Sequence, residues 1–69
     1  MERFPVNSTN VATAGYDAAT MTLEVEFQNG NVYQYFDVPE AVYQEFRQAP
    51  SRGQFLNTNI KGVYRYARM

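Results

Sequence analysis

The side chains of this 69-residue sequence that could do chemistry are aromatic and basic rather than nucleophilic. Histidine and cysteine are both absent, which removes the usual base of a hydrolytic triad and any zinc site of the Cys/His kind. Gly15, Gly30, Gly53 and Gly62 are isolated turn or cap residues, not the spaced set that wraps a phosphate ahead of a helix. Glu24 and Glu26 would share one face of a strand, but any alternating solvent face produces that pair, and acid–base work needs a desolvated cleft. No catalytic residue, metal site or cofactor is therefore expected. The chemistry on offer lies in Tyr33, Tyr35, Tyr64 and Tyr66 together with Arg47, Arg52, Lys61, Arg65 and Arg68. Aromatic platforms for bases next to cations for phosphates are the two ingredients of single-strand nucleic-acid binding.

The net charge of −1 conceals an asymmetry. Residues 1–45 hold all seven acids and a single base, Arg3, whereas residues 46–69 hold five bases and no acid. Either the second half builds an anion-binding face, or the halves pack together and neutralise each other. A pI near 5.1 is far from the basic footprint of a long RNA track. The expected ligand is RNA or a nucleotide-like anion, held in a small pocket through roughly one or two phosphates. A protein partner is the alternative, since exposed Tyr and Arg anchor interfaces and a C-terminal edge strand can accept a partner strand.

The elements that must position these residues follow from periodicity. Residues 10–16 alternate weakly and read as a strand, and residues 17–20 as a turn. Met21, Leu23, Val25 and Phe27 then alternate with Thr22, Glu24, Glu26 and Gln28, the period of a strand with one buried face. Asn29-Gly30 follows, a preferred hairpin pair because both residues tolerate positive φ, and residues 31–37 return as a second strand. That strand is apolar on both faces, so loop length decides which face is core. A two-residue loop, the favoured reading, sets Phe27 opposite Val32, Val25 opposite Gln34 and Leu23 opposite Phe36, with Tyr33 and Tyr35 beside Glu26 and Glu24. A three-residue loop with Gly30 in a bulge shifts the pairing by one residue and turns the tyrosines toward the core.

Pro39 suits the first turn of a helix whose apolar stripe is Val42, Phe46 and Ala49, and Pro50 ends it. Ser51 is a good N-cap for a second short helix carrying Phe55, Leu56 and Ile60, with Gly62 as its C-cap. Residues 63–67 read as the last strand. The expected fold is α+β: a small antiparallel sheet of N-terminal strand, central hairpin and C-terminal strand, packed with two short helices. Residues 1–69 are expected to form one domain, near the lower size limit for a self-sufficient core, so a monomer or a homo-oligomer is open. No apolar run approaches the ~20 residues of a membrane span. The first residues lack the regions of a signal peptide, which makes the cytoplasm the default location.

The series Ser8, Gly15-Tyr16-Asp17, Thr22 to Phe27, Asn29-Gly30, Tyr33-Gln34-Tyr35, Val38-Pro39 and Tyr43 resembles the KTSC domain family. Ala49, Ser51, Gly53, Phe55, Asn57, Ile60, Gly62 and Tyr64 continue the resemblance, which covers about residues 6–68. Its marker is the Tyr-x-Tyr motif after the Asn-Gly turn. The family takes its name from the C-terminus of some lysyl-tRNA synthetases, and it also occurs as small free-standing proteins in bacteria and phages. The resemblance implies a non-enzymatic module for which RNA binding has been suggested. Where the family commonly has a proline between tyrosines in the last strand, this sequence has Tyr64-Arg65-Tyr66, adding a cation.

Overall fold

Alternation at residues 22–27 produces the strand around which the rest assembles. The computed structural model describes residues 1–69. Its strands are β1 (Arg3–Pro5), β2 (Val11–Asp17), β3 (Thr22–Phe27), β4 (Val32–Tyr35) and β5 (Tyr66–Arg68). They lie in the spatial order β1-β2-β3-β4-β5, every neighbour antiparallel. Between β4 and β5 come α1 (Glu40–Gln48) and α2 (Arg52–Phe55), the latter running into a π-helical turn (Leu56–Ile60). The α+β class expected from the sequence is the one observed. None of the helices is long and apolar enough to cross a membrane.

Leu23 and Val25 point to the helical side, where they join Val11, Ala14, Val38, Phe46, Leu56 and Ile60 in the buried core. Each apolar group withdrawn from water contributes roughly 25 cal/mol per Å², so these residues supply most of the driving force. Phe46 is the buried residue of the α1 stripe, and Ala49 turns extended before Pro50. Ser51 caps α2 as expected, its hydroxyl accepting from the Gln54 amide at 3.2 Å.

The hairpin departs from the favoured reading. Tyr35 pairs with Leu23 and Tyr33 with Val25, one residue away from the two-residue register. The loop has three residues: the Phe27 amide donates to the Asn31 carbonyl at 2.8 Å, and the Gly30 amide to the Phe27 carbonyl at 2.9 Å. Gly30 has φ +90°, which glycine adopts without strain. The physical reason is on the other side of the strand. A two-residue loop would have turned Gln34 into the core, where an unpaired amide costs ~1–3 kcal/mol. In the observed register Tyr35 is buried instead, and Gln34 donates to Glu24 Oε1 at 2.9 Å on the solvent side.

Three further differences concern the termini and the second helix. β1 was not anticipated. It lies against β2 at Gly15, where a Cβ would collide with the Glu2 carbonyl oxygen. The last strand begins at Tyr66 rather than residue 63, because the Ile60 carbonyl accepts from the amides of Val63 and Tyr64 and winds residues 61–64 into a turn. Gly62, φ +77°, follows the Lys61 C-cap. The π turn itself is closed by the Lys61 amide donating to the Leu56 carbonyl at 2.8 Å. Such turns are rare and frequently sit at functional sites.

Candidate functional site: an aromatic groove

The observed register lines up residues across three strands. Val25, Tyr33 and Arg68 form one row, and Leu23, Tyr35 and Tyr66 the next. These rows lie on the helical face of the sheet, where α1 packs over the β1–β2 side, Tyr43 against Phe4 and Tyr16, while the β4–β5 side stays open. Tyr35 is buried and Tyr33 half-buried, while Tyr66 is 60% exposed. The space beside them is an open groove of about 810 Å³.

Phe27, Tyr33, Tyr35 and Tyr66 form the aromatic floor of this groove. Phe27 meets Tyr33 edge-on at 5.5 Å, and Tyr66 lies 5.7 Å from Tyr33 and 6.0 Å from Tyr35. Such pairs contribute about 0.5–1.5 kcal/mol beyond area burial, which holds the floor in place before any ligand arrives. The facing wall comes from α2 and the π turn, where Gly53, Asn57 and Lys61 recur every four residues along one side. Gly53 is buried, and a Cβ there would come within 3.3 Å of Ser8 Oγ. Glycine thus lets α2 sit close to the loop before β2. Lys61 Nζ stands 5.0 Å above the Phe27 ring. At the rim, Arg68 donates to Asn31 Oδ1 at 3.0 Å.

No carboxylate lines the groove. Glu24 and Glu26, which the two-residue register would have set beside the tyrosines, lie on the opposite face of the sheet. There Arg3 meets Glu24 at 3.3 Å and Glu26 at 3.6 Å, and Thr13 donates to Glu26 at 3.0 Å. Burial, and secondarily the neighbouring Tyr33 and Tyr66, push the Tyr35 phenol up to about 12, so it stays protonated at any physiological pH. The arrangement can stack planar groups, hydrogen-bond them through carboxamides and attract an anion.

Of the residues singled out from sequence, Tyr33, Tyr35, Lys61 and Tyr66 converge on the groove, with Arg68 at its rim. The others lie elsewhere. Tyr64 is half-buried against the core. Arg65 pairs with Asp37 at 2.8 Å and lies over the Phe36 ring. Arg47 spreads over Phe4 at 5.2 Å and Tyr43 at 5.9 Å. Arg52 donates to the Arg47 carbonyl at 2.6 Å, an arrangement that suits a helix C-terminus. Phe27, Asn10 and Asn57 also line the groove but are not among the site residues expected from the sequence. The four-residue spacing of Gly53, Asn57 and Lys61 was the signal that could have revealed the wall.

Fold and site together define a small antiparallel-sheet domain with two short helices and one aromatic, acid-free groove. The model of the KTSC domain matches residues 7–64, and the chain belongs to that family. It is 38% identical to a KTSC domain protein from Yersinia pestis of known crystal structure, with a TM-score of 0.93 over 99% of this chain and 96% of that one. A protein of Stutzerimonas stutzeri is 39% identical over 100% of this chain and 99% of its own length. A lysine–tRNA ligase of Trichormus variabilis is 44% identical over 54 residues, 78% of this chain and 10% of the ligase. The chain thus spans about a tenth of the length of the ligases it matches.

Proposed function

We propose that this protein is a non-enzymatic binding module whose groove holds single-stranded RNA or a nucleotide-like anion. The observation that carries the reading is the aromatic floor facing Lys61 with no carboxylate in the lining. A base stacks on Tyr66 and Tyr33, and the adjoining phosphate meets Lys61 and, at the rim, Arg68. The groove's size favours a short segment over a long track. Occurrence of the domain within lysine–tRNA ligases, proteins named for an RNA, supports the same class of ligand.

Titration of short single-stranded oligonucleotides at several salt concentrations tests it. Two phosphate contacts release few counterions, so log K should fall against log salt with a slope of about −1.4. Tyr66→Ala should weaken binding by ~1–3 kcal/mol, the usual worth of a stacked base, and Lys61→Ala should flatten the salt slope. Unchanged binding in both variants would end this reading. The exposed Val63, Tyr66 and Met69 along the C-terminal edge favour a second reading, a protein partner added to β5. That complex would survive high salt and ignore Lys61.

A further inference from the structure

The groove carries an unusual density of carboxamides: Asn10, Gln28, Asn29, Asn31 and Asn57. Three of the five are already engaged. Gln28 donates to the carbonyls of Ser8 and Val11 at 3.3 and 3.4 Å, Asn29 accepts from the Asn31 amide at 3.0 Å, and Asn31 accepts from Arg68. The side chains of Asn10 and Asn57 engage no other residue, and both residues are exposed. Asn57 sits on the helical wall, four residues beyond Gly53, and Asn10 on the adjoining loop before β2, its Nδ2 3.9 Å from where a Cβ on Gly53 would lie. Each offers a donor and an acceptor side by side in the lining of a groove whose floor is aromatic.

We infer that Asn10 and Asn57 read the edge of a stacked base and that the base they select is adenine. This rests on the nucleotide-binding reading above. A carboxamide matches adenine by donating to a ring nitrogen while accepting from the exocyclic amine. Guanine is best held by a guanidinium on its acceptor edge or by a carboxylate on its donor edge. The groove lining has neither an arginine nor an acid. Arg68 lies at the rim, outside the lining that would meet the base, and its place in the reading above is at the phosphate. Uracil and cytosine can pair with a carboxamide but present a smaller face to Tyr33 and Tyr66, and stacking strength sets such preferences. The division of labour is then complete: the tyrosines hold the ring, Lys61 the phosphate, and the two free carboxamides the base identity.

The test compares short oligoadenylate, oligouridylate, oligocytidylate and oligoguanylate by fluorescence anisotropy, with wild-type protein and with Asn10→Ala, Asn57→Ala and Asn59→Ala. Asn59 is exposed on the same turn but does not line the groove, and it serves as the control. Thermal unfolding of each variant confirms that the fold is intact. The wild type should prefer oligoadenylate by about tenfold, the discrimination one bidentate pair typically gives. Asn57→Ala and Asn10→Ala should reduce that preference, while Asn59→Ala keeps it. Equal binding of all four oligonucleotides, or a preference untouched by both groove variants, overturns the inference and leaves the nucleotide-binding reading standing. Absence of binding to all four removes that reading and the inference with it.

Discussion

Alkaline titration gives the sharpest test of where the hairpin tyrosines point. In the observed register Tyr35 is 2% exposed, and its phenol is raised from 10.0 to about 12, chiefly by burial. The folded state therefore favours the protonated phenol. This contribution to stability is fully present below pH 10 and is lost as the pH rises through about 12. Two units at about 1.4 kcal/mol each set a ceiling of ~3 kcal/mol. The real loss is smaller, because the ring lines an open groove where water screens part of the charge. Tyr16 and Tyr43 are also raised, by burial first in each case, and they add to the wild-type slope in the same direction. Tyr35→Phe separates them: unfolding free energies from urea titrations across this pH range should fall more steeply for wild type than for the variant, by a difference of about 1–2 kcal/mol at the alkaline end. Tyrosinate absorbance should show one late-titrating group missing from the variant. Identical pH slopes for the two proteins would refute the register and with it the groove floor.

Other perturbations separate packing from binding. Gly15→Ala drives a methyl into the Glu2 carbonyl, and it should cost ~1–3 kcal/mol as overpacking does, with hydrogen exchange speeding up in β1 before the rest of the sheet. Ser51→Ala removes the cap on the Gln54 amide and should lower the unfolding free energy by ~1 kcal/mol, read from the urea midpoint. Arg65→Ala breaks an ion pair whose side chains are 76% and 69% exposed. It should shift stability by no more than ~0.5 kcal/mol and, lying outside the groove, leave oligonucleotide affinity unchanged.

Much of the fold was legible because its signals are local. The alternation of Leu23 and Val25 with Glu24 and Glu26, the Asn29-Gly30 turn, the stop at Pro50 and the Ser51 cap each act within a few residues. Register was harder. Residues 31–37 are apolar on both faces, so the choice rested on loop length, and Asn29-Gly30 is compatible with either loop. Gln34 was the decisive residue: only the three-residue loop keeps its amide out of the core and gives it Glu24 as a partner. β1 carries no alternation long enough to read, and its place depends on Gly15, a contact between segments distant in sequence. The π turn depends on where Leu56 and Ile60 must be buried, which is a property of the packed core.

The one-residue shift also changes what the charges can do. With a two-residue loop, Glu24 and Glu26 would flank Tyr33 and Tyr35 and repel any phosphate brought to them. In the observed register the strand separates the two sets, carboxylates to one face with Arg3 and tyrosines to the other with Lys61 and Arg68 nearby. An acidic protein can therefore present an acid-free groove, since screening at physiological salt confines exposed charges to a range of about 8 Å. The basic C-terminal segment did not become a single face: Arg65 is held by Asp37, while Arg47 and Arg52 sit around the end of α1. What remains at the groove is few cations and many aromatic and carboxamide groups. That composition suits a ligand recognised ring by ring, with phosphate contacts orienting it rather than supplying most of the affinity.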